Sequence, residues 1–339
     1  MPSEAARPDL GAPHEVVRIA RVLEEAGFST WAVGGAVRDA LAGRAPGDWD
    51  LTTAARPGDV RRLFRRTIPV GIEHGTVGVL GKDGRMYEVT TFRRDVETDG
   101  RRAKVRFSDT VEDDLERRDF TINAVAWHPL THEVRDPHGG IDDLRRRTLR
   151  TVGEPAERFR EDRLRVLRAL RFAGRFGLQV DPATWEAARA TAPHLPDLSP
   201  ERVREELFKL LREVHRPSDS LRLYAESGAL AELYPELARC VGAPDAGGED
   251  VWTHLLRTAD ALPRSRPLLR LAALLHDVGK PRVDPGGDLA YAGHAGAGAA
   301  AARDLLRRLR CSNAEIDTVT HLVAQHADLP AADAPRPEW

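Results

Sequence analysis

The chain is poor in cysteine and has no long apolar run. Cys240 and Cys311 are its only cysteines, which excludes a disulfide framework and a cysteine-rich zinc site. No stretch of about 18 consecutive apolar residues is present, so neither a membrane-spanning helix nor a membrane partner is predicted. The N-terminal residues also lack the apolar core of a signal peptide, and a cytoplasmic location is therefore expected.

A large net charge is also missing, because 51 basic residues balance 53 acidic ones. Proteins that coat nucleic acid nonspecifically tend to be basic, so this balance argues against that class of function. Arginines nevertheless gather at 61–66, at 145–150 and through 158–175, which is compatible with a local RNA-binding surface. The first of these clusters is more typical of a solvated helix face.

The spacing of apolar residues divides the chain into a mixed first part and a helical second part. Two segments have the spacing of amphipathic helices, 14–27 and 35–42. Short apolar runs predict four strands, 30–34, 48–52, 76–80 and 85–92. After Ile141 the pattern is almost wholly helical, with a linker at 240–250. The expected fold class is α+β, with a small sheet-and-helix head followed by helices.

The most informative segment is 33–53, in which two glycines, a short amphipathic helix and the sequence D-W-D follow one another. In an extended strand alternate side chains share a face, so Asp48 and Asp50 are predicted to project together. Paired carboxylates suit Mg²⁺, a hard cation that takes oxygen ligands. Gly34 and Gly35 would let backbone N–H groups come close to a triphosphate at the start of the helix.

A D-x-D pair alone is more often part of a solvated turn, but the preceding G-G-x-V-R-D changes the interpretation. Together these motifs resemble the tRNA nucleotidyltransferase and poly(A) polymerase family of the polymerase-beta superfamily, in its bacterial class II form. The resemblance implies a polymerase-beta-like nucleotidyltransferase head in which Asp48 and Asp50 are catalytic ligands of Mg²⁺. It also implies that Arg38 binds the nucleotide and that Glu88, in M-Y-E-V-T-T-F-R, is a third acidic group.

A second match is R-R-D-F-T-I-N-A at 117–124. A basic pair beside an aspartate and an asparagine can contact a triphosphate and hydrogen-bond ribose hydroxyls. From the residues alone, a charged helix start capped by Asp119 is an alternative. With the family resemblance, Arg118, Asp119 and Asn123 are assigned to the nucleotide.

The segment E-D-R-L-R-V-L-R-A-L-R-F-A at 161–173 resembles the class II motif that selects CTP and ATP without a nucleic-acid template. Asp162 and Arg165 are three apart and are predicted to be neighbours on one helix face. An acceptor and a donor fixed in this way can pair with cytosine and adenine and reject uracil and guanine. Taken alone, such a pair is usually a surface salt bridge. Arg168 and Arg171 are expected to reach substrate or RNA phosphate.

The sequence predicts the type of reaction but leaves several products open. Residues 95–110 are polar and turn-rich, like the flexible loop of this family, and the loop is shortened in CC-adding relatives. Here D-G-R-R is retained, but Ala103 stands where the family usually has proline and the loop is slightly short. The segment at 69–79, P-V-G-I-E-H-G-T-V-G-V, favours tRNA-repairing members over poly(A) polymerases. Addition of CC only, or of A only, therefore stays open beside full CCA.

A different constellation follows in the last part of the chain, where L-L-H-D-V-G-K-P resembles the HD phosphohydrolase superfamily. Imidazoles and a carboxylate from several helices can converge on a divalent metal. Three residues are the main ligand candidates, His254, His276 and Asp277. Two further histidines are weaker candidates, His294 and His326.

The superfamily often completes this site with a later aspartate, and either Asp317 or Asp328 fits that position. The site is expected to take a divalent transition metal if it is active. A degenerate module kept for packing or for contact with tRNA is an equal alternative.

The resemblance predicts three domains, a nucleotidyltransferase head at 14–140, a helical neck and body at 141–240, and an HD-type helical domain at 251–330. The neck and body are expected to select the nucleobase and to bind RNA. The leading hypothesis is a template-independent tRNA nucleotidyltransferase with tRNA, CTP and ATP as partners, and the oligomeric state stays open. One alternative is a metal-dependent phosphohydrolase acting on RNA ends or nucleotides. A nonenzymatic RNA chaperone is disfavoured, because RNA binding needs no acidic metal site.

Overall fold

The structure is a computed structural model that describes residues 8–98, 103–245, 248–283 and 291–328. The chain divides into two compact units. The first comprises residues 1–162 and 179–184, and the second comprises residues 163–178 and 185–339. Within the parts of the chain that are described, no helix combines the length and apolar character needed to cross a membrane.

The first unit contains a seven-stranded mixed sheet. Two further sheets have two strands each, β6 with β7 and β10 with β11. The strands of the unit are β1 (Thr30–Val33), β2 (Asp50–Thr53), β3 (Thr67–Gly71), β4 (Thr76–Leu80), β5 (Met86–Thr91), β6 (Arg93–Thr98), β7 (Ala103–Phe107), β8 (Ala126–Trp127), β9 (Val134–Arg135), β10 (Thr148–Leu149) and β11 (Gln179–Val180). Its helices are α1 (His14–Glu25), α2 (Gly35–Leu41), α3 (Pro57–Leu63), α4 (Val111–Glu116), α5 (Gly140–Arg145) and α6 (Pro155–Glu161).

The strands of the large sheet follow the order β3-β4-β5-β2-β1-β8-β9. Only the pairing of β2 with β5 is parallel, and the other neighbours in this sheet are antiparallel. All four residues of β1 are buried, as expected for a strand covered on both faces. Val16, Ile19 and Leu23 of α1 join Leu51 and Val89 in one apolar core. This core fixes the ends of β1, β2 and β5, where the candidate site lies.

The four strands and two helices predicted for the head are present, and each ends within two residues of its predicted bounds. The sequence pattern missed β3, because its residues T-I-P-V-G include a proline and expose their side chains. The segment 95–110, expected as a flexible loop, contributes to β6 and β7, which pair antiparallel. The D-G-R-R sequence at 99–102 lies outside the described residues.

The second unit is helical in its described residues. Its helices are α7 (Leu164–Phe176), α8 (Pro182–Thr191, which begins in the first unit), α9 (Pro200–Glu213), α10 (Pro217–Ser227), α11 (Ala229–Leu233), α12 (Pro235–Ala238), α13 (Val251–Asp260), α14 (Pro267–Leu275), α15 (His294–Arg308) and α16 (Asn313–Gln325). Prolines begin several of these helices, where the missing N–H has no intrahelical partner. The wholly helical pattern predicted after Ile141 is interrupted only by β10 and β11 among the described residues.

Candidate functional site

Three carboxylates lie close together, two of them at or just before the start of β2 and the third within β5. These strands run parallel, with Leu51 beside Val89. One residue earlier in each strand are Asp50 and Glu88, which the register places next to each other on one face of the sheet. Asp48 precedes β2 and is exposed, whereas Asp50 is half-buried.

The Asp50 carboxyl is electrostatically perturbed. Burial and the charge of Glu88 raise its pKa to about 6; the Asp48 charge adds to this effect, and Arg118 opposes it. The intervening Trp49 is only 5% exposed and belongs to the apolar core, so D-W-D alternates as predicted. Acidic groups gathered in this way repel one another, and a divalent cation with oxygen ligands would relieve that repulsion.

A glycine turn closes the space beside these carboxylates. β1 ends at Val33, and Gly34 then has a φ of 78° and a ψ of −136°, a conformation that side chains disfavour. A Cβ atom on Gly34 would lie 3.4 Å from Nη1 of Arg118 and 3.9 Å from Oδ2 of Asp50. Gly35 then begins α2. The backbone therefore lines the space between a carboxylate and a guanidinium group without a side chain in the way.

Arg118 is held in place by the residues that precede and follow it. Its Nη2 donates to Oδ2 of Asp114 at 2.9 Å, and its Nη1 lies 3.4 Å from the carbonyl oxygen of Asn123. The Asp114 side chain is only 2% exposed, whereas that of Arg118 is 20% exposed. Asp114 was missed in the sequence, although its spacing of four residues from Arg118 is the signal that could have revealed it.

The structure changes the interpretation of Arg38 and Asn123. Both are buried, and Nη1 of Arg38 donates to the amide oxygen of Asn123 at 2.6 Å. The amide nitrogen of Asn123 in turn donates to Oδ1 of Asp119 at 3.0 Å. Arg38 was expected to bind the nucleotide and Asn123 to bond ribose hydroxyls. Their side-chain ends instead orient Asp119, which is half-buried.

Asp162 and Arg165 do not lie in one continuous helix, so the shared helix face predicted for them is wrong. α6 ends at Glu161, and Asp162 follows it with an extended backbone, φ −152° and ψ 103°. α7 begins only at Leu164. The two residues therefore flank a break between helices, and the division between the two compact units falls immediately after Asp162.

Arg171 is also placed differently from its prediction. Its side chain is 4% exposed and makes ion pairs of 2.8 Å with Glu206 and with Glu213. It was expected to reach substrate or RNA phosphate, but its guanidinium group lies inside the second unit between these glutamates. Arg168 is half-buried over the Phe172 ring.

Replacing Arg171 by methionine is expected to lower the free energy of unfolding of the second unit by up to about 3–5 kcal/mol, because the buried Glu206 would keep only the half-exposed Lys209 as a partner. Urea denaturation followed by far-UV circular dichroism measures this change. Arg189, which pairs with Glu186 on the surface, is the matched control, and Arg189→Met should cost under about 1 kcal/mol. An equal effect of both substitutions would contradict the buried-pair interpretation.

In the second unit, four imidazoles surround one carboxylate. Oδ2 of Asp277 lies 3.4 Å from Nε2 of His254 and 3.1 Å from Nε2 of His276. Oδ1 lies 3.3 Å from Nε2 of both His294 and His326. Two groups that could each hold a metal ion therefore share Asp277. The two weaker histidine candidates belong to this cluster as much as the three main ones.

The histidine rings are oriented by the backbone. Nδ1 of His276, His294 and His326 lies 2.7 to 2.8 Å from the carbonyl oxygen three residues earlier, which leaves Nε2 pointing inward. Within each pair the two Nε2 atoms are 3.0 Å apart. Two nitrogen lone pairs at this distance repel unless a proton or a cation lies between them. The donor set therefore fits metal ions.

Lys280, which the sequence analysis missed, contacts the same carboxylate. Its Nζ lies 2.8 Å from Oδ2 of Asp277 and 2.7 Å from Oδ1 of Asp245. Burial raises the pKa of Asp277, but contacts with His276, His326 and Lys280 outweigh it and hold the pKa well below its usual range. The H-D-x-G-K spacing, which puts a lysine one helical turn after the aspartate, was the signal for Lys280.

Of the two aspartates proposed to complete this cluster, Asp317 receives no support and Asp328 is not tested. Asp317 is exposed on α16 and belongs to neither histidine group in the described residues. The side chain of Asp328 lies outside the described residues.

Three family models match the chain. Residues 30–150 match the poly A polymerase head domain. Residues 177–240 match the probable RNA and SrmB-binding site of polymerase A, and residues 249–337 match the HD domain. The carboxylates and the glycine turn lie in the first match, and the histidine cluster lies in the third.

Curated proteins similar to this chain include several CCA-adding enzymes. The CCA-adding enzyme of Geobacillus stearothermophilus is 44% identical over 268 residues, which cover 76% of this chain and 65% of that enzyme. That of Streptococcus suis strain 05ZYH33 is 48% identical over 200 residues, 58% of this chain and 49% of that enzyme. The matched part of the chain therefore spans 65% and 49% of the length of these two curated relatives.

A solved structure covers more of the chain. It is the crystal structure of the Bacillus stearothermophilus CCA-adding enzyme in complex with CTP, which superposes with a TM-score of 0.70 at 36% sequence identity. The match covers 94% of this chain and 71% of that one. Because both the sequence and the fold agree over this length, the chain belongs to the family of the CCA-adding enzymes.

Proposed function

We propose that this protein adds C, A or both to the 3′ end of tRNA, using CTP and ATP and no nucleic-acid template. The observation that supports this most is the placement of Asp50 beside Glu88, with Asp48 nearby and the Gly34 turn and Arg118 on the adjoining side. An acidic set that can hold a metal, next to a guanidinium group that can contact a phosphate, is what nucleotidyl transfer requires. The relatives named CCA-adding enzymes, and the CTP-bound structure, support the choice of substrates.

The family depends on a divalent metal, and we propose Mg²⁺ because the ligands here are carboxylate oxygens. Asp48, Asp50 and Glu88 would hold it, and when bound it supplies positive charge at the phosphates and favours ionisation of the attacking hydroxyl. The backbone at Gly34 and the guanidinium group of Arg118 would orient the triphosphate. The tRNA 3′ oxygen forms a bond to the α-phosphorus as the bond to pyrophosphate breaks.

We propose that the remaining predicted residues position the sugar and the base. The Asp119 carboxylate would accept a hydrogen bond from a ribose hydroxyl. Asn123, itself bonded to Arg38, would fix the orientation of that carboxylate. Asp162, Arg165 and Arg168 are the candidates for nucleobase selection. Asp162 lies at a break between helices, where a carboxylate can face a ligand more easily than in a continuous helix. The domains proposed for these roles remain the head at 14–140, the neck and body at 141–240 and the HD-type domain at 251–330.

The proposed function is tested with three tRNAs, ending in the discriminator base, in C-C and in C-C-A. Each is incubated with radiolabelled CTP or ATP and Mg²⁺, and the 3′ ends are sequenced. Label in the first two tRNAs and none in the third would support CCA addition. Label in only one of them would identify a CC-adding or an A-adding enzyme. Absence of label from all three would overturn the proposal.

The activity is expected to fall at acidic pH because of Asp50. Its pKa of about 6 lies above the ordinary carboxyl value, so the group becomes protonated, and unable to bind a cation, as the pH falls through 6. At limiting Mg²⁺, incorporation should decrease about tenfold per unit below this pH. Raising the Mg²⁺ concentration should move the decrease to lower pH, because metal and proton compete. If the dependence of incorporation on pH did not change with the Mg²⁺ concentration, the decrease would be caused by the titration of a group other than Asp50.

We propose a second activity, metal-dependent phosphohydrolysis of RNA ends or nucleotides, in the second unit. The observation that favours it is the shared carboxylate of Asp277 between two histidine pairs. Imidazole-rich sites suit divalent transition metals better than Mg²⁺. Two ions about 3.5–4 Å apart can activate water and stabilise a leaving oxygen.

Hydrolysis of a nucleoside 2′,3′-cyclic phosphate in the presence of Mn²⁺, measured as formation of the nucleoside 2′- or 3′-monophosphate, tests this activity. Turnover should persist in Asp48→Ala and vanish in Asp277→Ala. The reverse dependence, or no turnover in the unsubstituted protein, would refute it.

A further inference from the structure

An apolar patch lies on the same sheet face as the carboxylates. Ile68, Val70 and Met86 are 41%, 43% and 44% exposed. They surround Gly78 of β4, since a Cβ atom there would lie 2.7 Å from Sδ of Met86 and 3.0 Å from Cγ2 of Val70. The side chains of Met86 and Val70 thus cover the buried Gly78 and, with Ile68, form a continuous apolar surface, which we call the β3–β5 shelf.

The strand register connects this shelf to Glu88. Ile68 is opposite Gly78, and Gly78 is opposite Glu88. Residues directly opposite each other share one face, and the parallel register continues the row from Glu88 to Asp50. Neighbouring strands are about 4.8 Å apart, so Ile68 lies about 10 Å from Glu88 along the sheet.

The sheet order separates the shelf from the proposed triphosphate position. The Gly34 turn follows β1, and β1 borders β2 on one side. The shelf lies on β5, β4 and β3, which border β2 on the other side. In phosphoryl transfer the attacking and leaving oxygens are roughly in line, on opposite sides of the phosphorus. If pyrophosphate leaves towards Gly34 and Arg118, the attacking 3′ hydroxyl approaches from the shelf.

We propose that the β3–β5 shelf binds the 3′-terminal nucleobase of the RNA primer, an inference that rests on the proposed nucleotidyl transfer. The base joined to the attacking ribose must lie within one or two strand spacings of the carboxylates, about 5 to 10 Å. The shelf begins at that distance. A flat apolar surface accepts the face of any base, which suits a primer end whose identity changes after each addition.

A second copy of the chain fits the shelf less well. Stable protein interfaces bury about 800 Å² per partner, far more than three partly exposed side chains offer. Pro69 also stands between Ile68 and Val70 on the edge strand β3, where it removes a backbone N–H that an added strand would need. A nucleobase needs neither a large area nor a strand edge.

The test uses the double variant Ile68→Ser, Val70→Ser in the full chain, which alters only exposed side chains. Steady-state incorporation is measured with a tRNA primer lacking CCA and with an otherwise identical primer whose terminal nucleotide has no base. The variant should raise KM for the normal primer about tenfold and leave KM for CTP unchanged. For the unsubstituted protein, KM for the abasic primer should exceed KM for the normal primer by about the same factor. For the double variant, KM should rise little further when the abasic primer replaces the normal one.

Val241→Ser is the control, because Val241 is 47% exposed and lies in the second unit. Its kinetic constants should equal those of the unsubstituted protein. The proposed role of the shelf would be overturned if the double variant had the same KM for the normal primer as the unsubstituted protein. It would also be overturned if the effects of the substitutions and of the missing base on KM were additive. If the double variant changed the oligomeric state measured by sedimentation equilibrium, the shelf would instead be an interface with a second copy of the chain. If the unsubstituted protein incorporates nothing, the proposed transfer itself fails.

Discussion

Asp50→Asn is expected to reduce nucleotide incorporation about 10³-fold or more. The substitution keeps the shape of the side chain but removes one of the negative charges that would hold the metal beside Glu88. A metal ion supplies several kcal/mol of charge stabilisation at the reacting phosphate, and 1.36 kcal/mol corresponds to a tenfold change in rate. Single-turnover incorporation of radiolabelled CTP into tRNA lacking CCA measures the loss directly.

The control for this substitution is Asp142→Asn, in the same unit. Asp142 is 63% exposed and pairs with Arg145 on the surface of α5. Its rate should stay within about twofold of the unsubstituted protein, since surface ion pairs contribute little. Asp50→Asn should remain folded, because it removes a charge that burial and Glu88 already disfavour. Comparable rates for the two variants would show that Asp50 is not in the catalytic set.

The head could be predicted from sequence because its signals are local. Alternation in D-W-D depends on strand geometry alone, and Trp49 enters the core as expected. The glycines after β1 mark a turn, and Gly34 does adopt a positive φ. The adjacency of Glu88 to Asp50 could be predicted only from the family resemblance, because the sequence of a strand does not specify which strand pairs with it.

Other residues were misplaced because their partners are distant in the chain. Arg38 and Asn123 are 85 residues apart and bond inside the unit. Arg171 looks like an exposed helical arginine until Glu206, on α9, is brought beside it. The helical spacing of Asp162 gave no warning that α6 stops at Glu161. For Arg38, Asn123 and Arg171, tertiary contact overrode a local pattern.

The histidine cluster is the opposite case, since the structure strengthens residues that were weak in the sequence. His294 and His326 stand 32 residues apart, without a motif of their own. The shared Asp277 relates them to His254 and His276 as a second, similar pair. A single histidine in a helix is uninformative, whereas two Nε2 atoms at 3.0 Å must share either a proton or a cation.

Asp277→Ala is therefore expected to remove two metal ions per chain, whereas single histidine variants remove one. Asp277 contributes an oxygen to each group, and its loss also removes the negative charge that offsets two dications. His254→Ala should weaken only the site shared with His276, and His326→Ala only the site shared with His294. Titration with Zn²⁺ by isothermal calorimetry, with metal content checked by mass spectrometry, distinguishes these outcomes.

His321→Ala is the matched control, because His321 is exposed on α16, the helix that ends at Gln325 next to His326. Its stoichiometry should equal that of the unsubstituted protein. Nucleotide incorporation should be unchanged in all these variants, because the carboxylates at Asp50 and Glu88 belong to the other unit. A stoichiometry of one in the unsubstituted protein, abolished equally by His254→Ala and His326→Ala, would show that the four imidazoles share a single ion. In that case Asp277 would be a ligand of one metal ion, and the two-metal mechanism proposed for hydrolysis would be wrong.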